Sequence, residues 1–326
     1  LSKKSIKLTS QEENIRKKLI ENFKFTPTEN QDWLFTVLSK FLFSNKSNCT
    51  LILSGYAGTG KTTCINSIVK TAKSSGLKPV LLAPTGRAAK VMSKYCKTAA
   101  YTIHKHIYKR VTIKGKPSFV PVENRLKNAL YIVDEASMIS ADENMGINVL
   151  DDLIEYIFSV EDAKLILVGD EAQLPPVGSV KSPALDLNYL KDTYHITAFQ
   201  VRLREVVRQG SLSGILYEAT KLRVLLEKGG AEQINFESHK DFKQIEHADF
   251  QDTLEAKFSE FGKENVLIIT RSNMVANKFN SQVRTHSLWM EEEISVGDLI
   301  MITKNNYYWS EKNKSALNFI ANGDVA

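Results

Sequence analysis

The sequence predicts an α/β fold, a parallel β-sheet with helices flanking both faces. Two observations predict it. Over the first two-thirds of the 326 residues, short apolar runs of strand length alternate with helical patterns. Those runs are also continuously apolar rather than alternating, so both faces of each strand are covered, as they are in a parallel sheet. The length corresponds to about two domains at roughly 100–200 residues each. A chain that is 43% hydrophobic and 25% charged is globular rather than disordered. No apolar run reaches the ~18 residues of a membrane helix, and the polar start has no secretory core. Three scattered cysteines exclude a disulfide framework or a zinc knuckle and place the chain in a reducing, cytoplasmic setting.

Buried strands are expected at residues 50–54, 79–83, 129–133 and 164–168, each a short apolar run ended by Gly, Pro or Asp. Between the second and third lies an excursion, 111–120, in which two β-prone runs flank Lys114-Gly115-Lys116-Pro117 and read as a hairpin. A helix over 213–228 ends at Gly229-Gly230. A second α/β pattern follows: helix 250–261, strand 265–270, helix 273–285 and strand 298–303. The tail 305–326 has no periodicity.

The first strand runs directly into Gly55-Tyr-Ala-Gly58-Thr59-Gly60-Lys61-Thr62, a match to G-x-x-x-x-G-K-[ST] between a strand and a helix. Glycines let the backbone curl its N–H groups inward, and a helix N-terminus adds positive potential, so the loop is built for phosphates. Lys61 is placed to reach the β- and γ-phosphates of ATP, and the Thr62 hydroxyl to bind Mg²⁺. Asp134-Glu135 follows the third strand. With a phosphate loop present, an acid there holds Mg²⁺ and its neighbour orients or deprotonates water. Taken alone, the same acids would merely cap the next helix.

Positive charge is concentrated. Residues 94–127 carry nine Lys and Arg against the single acid Glu123, a net of +8 in a chain whose total is +6. Tyr101, His104, His106, Tyr108 and Phe119 interleave with them. Cations with aromatic rings suit a nucleic-acid strand, through phosphate neutralisation and base stacking.

In this order the motifs resemble those of a superfamily 1 DNA helicase, of the RecD/Dda-like branch that moves 5′ to 3′ on single-stranded DNA. The resemblance implies a RecA-like P-loop ATPase domain over 1–205, with the hairpin insertion at about 105–127. It also implies a partial second RecA-like domain over 206–326, and ATP bound between the two. Gln31 matches the adenine-reading glutamine, and Gly55 to Thr63 the phosphate loop. Ala83-Pro84-Thr85-Gly-Arg87 and Thr102-Ile-His104-Lys105 match DNA-contact motifs. Val133-Asp134-Glu135-Ala-Ser137 matches the motif for Mg²⁺ and water, and the string from Val168 to Gly178 a coupling motif whose Gln173 senses the γ-phosphate. Leu203-Arg-Glu-Val-Val-Arg208-Gln209 matches the segment that supplies an arginine finger, Arg208. The hairpin stands where the family carries a strand-separating pin. Phe119 is then either a ring that stacks on the last base pair or a plug inside the hairpin.

One departure is large. Two late motifs of the family are absent, so the second domain reads as cut before them, and the chain is expected to hydrolyse ATP poorly by itself. The main alternative is a DNA-stimulated ATPase or nucleotide-gated switch that does not unwind. A small-molecule kinase leaves the +8 stretch and Gln173 without a purpose, and a pure nucleic-acid-binding module leaves Lys61 without one.

Overall fold

The computed structural model describes residues 7–44, 46–113, 116–141, 148–176, 178–179, 181–207, 213–230 and 233–302. These form two compact units, one through 207 and one over 213–302.

The first unit opens with α1 (Ser10–Phe23) and α2 (Glu29–Leu42). Each begins with a reciprocal cap, Thr9 with Glu12 and Thr28 with Gln31, which satisfies backbone donors left free by the first turn. Then follow β1 (Cys49–Gly55), α3 (Lys61–Ser74), β2 (Lys78–Ala83), α4 (Gly86–Cys96), β3 (Ala100–Thr102) and the one-turn α5 (Ile103–Ile107). The hairpin is β4 (Tyr108–Ile113) and β5 (Lys116–Pro121). After it come β6 (Ala129–Val133), α6 (Val149–Phe158), β7 (Lys164–Gly169), α7 (Leu187–Tyr194) and β8 (Thr197–Leu203).

Six of these strands form one sheet in the order β3-β2-β6-β7-β1-β8, with every neighbouring pair parallel. Parallel strands need crossovers, and the intervening helices provide them. The two faces alternate along β1. Leu51 and Leu53 pack with α1–α4 through Leu34, Phe35, Ile65 and Ile68. Ile52 faces the other layer, with Ile103, Leu153, Ile157 and Leu165. All seven residues of β1 are buried. The four strands expected from the sequence are present. β3 and β8 extend the sheet beyond them at its two edges.

β4 and β5 pair antiparallel outside the main sheet, with Tyr108 opposite Pro121 and Arg110 opposite Phe119. Tyr108 is buried, and its hydroxyl donates to Asp152 Oδ2 of α6 at 2.5 Å. The hairpin is thereby tied to the sheet's second helical layer.

The second unit contains α8 (Gly214–Glu227), α9 (Phe250–Phe261) and α10 (Asn273–Gln282). The helices fall where the sequence places them, and Gly229 and Gly230 adopt the positive φ that ends α8. The expected strands at 265–270 and 298–303 need correction. The first is irregular after a 3-10 turn at Lys263–Asn265, with Leu267 77% and Ile269 87% exposed. In the described part of the second, Met301 is an isolated β-bridge residue and the rest is irregular, with Leu299, Ile300 and Met301 exposed. A β-prone run becomes a strand only by pairing, and the described residues of this unit form no ladder. Residues 303–326 lie outside the described residues. No helix among the described residues is long and apolar enough to cross a membrane.

Candidate nucleotide and nucleic-acid site

In a parallel sheet the segments leaving the carboxyl ends of the strands share one edge, and ligands bind there. β1, β2, β6 and β7 deliver the phosphate loop, Pro84-Thr85, Asp134-Glu135 and Asp170 to that edge. β7 lies between β6 and β1, so Asp170 stands between the paired acids and the loop.

The loop curls through Gly58 (φ +81°) and Gly60 (φ +88°), a left-handed conformation that favours glycine. It is also wrapped closely. A Cβ on Gly55 would lie 2.8 Å from Thr59 Oγ1 and 2.9 Å from Leu203, and one on Gly60 would lie 2.7 Å from Gln31 Nε2. Gly60 caps α3, so Lys61, Thr62 and Thr63 form that helix's first turn. The Lys61 ammonium folds onto the loop, donating to the carbonyls of Gly55 at 2.5 Å and Tyr56 at 3.0 Å, and lies 3.9 Å from Asp170 Oδ2. The Thr63 hydroxyl meets Tyr95 Oη of α4 at 3.1 Å.

Burial pushes the Asp134 carboxyl up to about 6, and Glu135 adds to the rise. The Glu135 N–H, which donates to Oδ1 at 2.9 Å, and the Lys61 charge act the other way. Glu135 has φ +53°, a left-handed conformation that costs a residue with a Cβ roughly 1–2 kcal/mol. Strain of this kind collects at functional sites. Ser137, in the 3-10 turn Ala136–Met138, donates to Gln173 Oε1 at 3.2 Å. The Asp134-Glu135 motif and the Gln173 loop are therefore joined by a side-chain bond.

Asp170 carries no role in the sequence reading. It is nearly buried, accepts the Ala172 N–H at 2.9 Å and faces Lys61. The signal for it was an acid placed directly after a buried strand. Arg208 lies outside the described residues. The segment leading to it is attached to the loop, since the Val207 N–H donates to the Gly58 carbonyl at 3.0 Å.

Gln31 is buried at 2% exposure. Its Oε1 accepts from the Thr28 N–H and its Nε2 donates to the Thr59 carbonyl, both at 3.0 Å. Thr85 accepts the Ala88 N–H at 3.2 Å and so caps α4, with Pro84 half-buried before it and Arg87 exposed on the first turn. His104 is exposed, and Lys105 lies 5.9 Å from the Tyr101 ring. Phe119 is 45% exposed and leans edge-on against His104 and Tyr108, with ring centroids 6.4 and 6.3 Å away. Part of its ring is thus available to a base. Arg125 pairs with Glu123 at 2.7 Å, the one acid already counted in the +8 of the stretch, and both side chains are exposed.

Mg²⁺ and a triphosphate fit what is present. The cradle is glycine-lined where any Cβ would intrude, and Thr62 and Asp134 offer the hard oxygen donors that Mg²⁺ takes. In the second unit, Glu218, Glu237 and His239 converge, but Lys221 Nζ already lies 3.2 Å from Glu237 and 3.8 Å from Glu218. That cluster is an ion-pair network supplied with its own cation.

Fold and loop together define a P-loop nucleoside-triphosphate site on a RecA-like parallel sheet. Residues 40–248 match the family described as an AAA domain, and the chain belongs to that family. The RecD/Dda-like resemblance of its motifs is returned by two curated relatives. The ATP-dependent RecD2 DNA helicase of Deinococcus radiodurans is 33% identical over 172 residues, 52% of this chain and 21% of that protein. The ATP-dependent DNA helicase Dda of Enterobacteria phage T4 is 30% identical over 201 residues, 60% and 42% of the two chains. An uncharacterized protein, R530 of Acanthamoeba polyphaga mimivirus, is 26% identical over 296 residues, 81% of this chain and 57% of that one. The chain thus spans less than two thirds of the length of each. Among solved structures, a Bacteroides Pif1 helicase aligns with TM-score 0.44 and 17% identity, covering 86% of this chain and 59% of that one.

Proposed function

We propose that the chain is the ATP-hydrolysing part of a DNA helicase that moves 5′ to 3′ on single-stranded DNA and separates duplexes. The observation that carries this reading is the convergence at one sheet edge of Lys61, Asp134 and Asp170, with Gln173 bonded to the Ser137 turn. A phosphate sensor bonded to the water-activating motif is a means of relaying hydrolysis outward.

In this reading Lys61 leaves the loop carbonyls for the β- and γ-phosphates, and backbone N–H groups from Gly58 to Thr63 line the rest. Thr62 and Asp134 hold Mg²⁺. Bound magnesium neutralises charge on the phosphate oxygens. Glu135 orients water and takes its proton. Gln173 reports the γ-phosphate, and Arg208 stabilises charge as the phosphoryl group departs. Pro84, Thr85, Arg87, His104 and Lys105 grip the DNA, and Phe119 stacks where the duplex opens. We further propose an ATPase domain over 1–205 and a partial second RecA-like domain from 206.

Strand displacement tests the reading. With the full-length protein, ATP and Mg²⁺, a duplex with a 5′ tail should separate, while 3′-tailed and blunt duplexes should not. ATP consumption that rises with DNA but separates no duplex would replace the helicase with a non-unwinding translocase.

A further inference from the structure

The Gln31 amide is engaged at both ends by the protein's own backbone. Oε1 takes the Thr28 N–H and Nε2 gives a proton to the Thr59 carbonyl. Reversing the amide would set donor against donor and acceptor against acceptor, so the partners fix its orientation. The first bond belongs to the cap of α2, completed by the Gln31 N–H on Thr28 Oγ1 at 3.4 Å. The second has no such local purpose. It spans 28 residues to the residue before Gly60, the N-cap of α3. A Cβ on Gly60 would press on the amide nitrogen at 2.7 Å. At 2% exposure, Gln31 presents almost nothing for a base to touch.

We propose that Gln31 is a positioning residue of the phosphate loop, acting on a bound triphosphate through the Thr59 carbonyl, so that its contribution is the same whatever the base. The inference rests on the reading of the loop as a triphosphate site. A glutamine that reads adenine offers its oxygen to the exocyclic amine and its nitrogen to N7. Here both atoms serve to hold the start of α3 at one distance from the start of α2. The site then selects its ligand by the triphosphate, and nucleotides with different bases are bound alike as far as this residue is concerned.

Calorimetric titration of the full chain with ATP, GTP, CTP and inorganic triphosphate tests this. Gln31→Met removes the loop contact and half of the cap. Thr28→Ala removes the other half of the cap and leaves the loop contact. Gln31→Glu keeps the cap acceptor but lacks the donor, and serves if the Met variant does not fold. Loss of one hydrogen bond should weaken all four ligands for Gln31→Met by a common factor of about 3 to 10. Gln31→Glu should weaken them uniformly and at least as much. Thr28→Ala should lower the melting temperature while leaving the four affinities within about two-fold. Weakening of ATP alone would make Gln31 an adenine reader and overturn the proposal. So would unchanged affinities in Gln31→Met, or equal losses in Thr28→Ala, which would reduce the role to the helix cap. Failure of the unsubstituted chain to bind any of the four removes the triphosphate site itself, a result distinct from the others.

Discussion

Glu135 combines a chemical duty with an uncomfortable backbone. In the proposed reaction it handles the attacking water, and Glu135→Gln should keep nucleotide affinity within a few-fold while slowing hydrolysis by roughly 10²–10⁴. Glu135→Gly should also lose hydrolysis, yet melt no lower and up to about 1 kcal/mol more stable, because glycine adopts φ +53° without cost. Matched thermal unfolding and ATP turnover of the two variants separate chemistry from strain. At this scale much of the site was legible: Lys61, Thr62, Asp134 and Glu135 are announced by spacing along the chain. Asp170 facing Lys61, Ser137 bonded to Gln173 and Gln31 bonded to Thr59 were not, because each contact depends on strand order or on packing across 28 or more residues.

The hairpin depends on how its root is held. Tyr108 is buried with its hydroxyl on Asp152, and burial, with that carboxylate adding to it, raises the phenol's pKa. Tyr108→Phe leaves Asp152 without this partner and should cost about 1.5–3 kcal/mol, read by denaturant unfolding. If the hairpin separates strands, the variant should lose more displacement than DNA-stimulated turnover. His106 sits in the same layer, half-buried among Tyr101, Tyr131 and Tyr156, and burial lowers its pKa. Below pH ~6.5 the unfolded chain therefore takes up a proton that the folded chain refuses. Stability should fall as pH drops from there toward the depressed folded value, and His106→Phe should flatten that limb of a stability–pH curve. Continuous apolarity made β1, β2, β6 and β7 readable. β3 is only three residues long, and β8 is an edge strand with Gln200 and Arg202 among half-buried neighbours, so neither shows that pattern. The apolar run at 265–270 shows it without being a strand, since sequence pattern carries no information on whether a partner strand lies alongside.

Over the whole molecule, the +8 stretch separates a chain of otherwise slightly acidic balance into a cationic region and the rest. If single-stranded DNA lies along it, log affinity should fall linearly with log salt, by roughly 0.7 for each phosphate neutralised. A flat response would remove the region from the DNA path. The central claim is that hydrolysis at the loop after β1 is coupled to a polynucleotide. ATP turnover by the full-length protein, measured as a single-stranded oligonucleotide is titrated in, tests it most directly. The account predicts turnover that rises to a plateau with oligonucleotide and vanishes in Lys61→Ala. Turnover that is the same with and without oligonucleotide would contradict it.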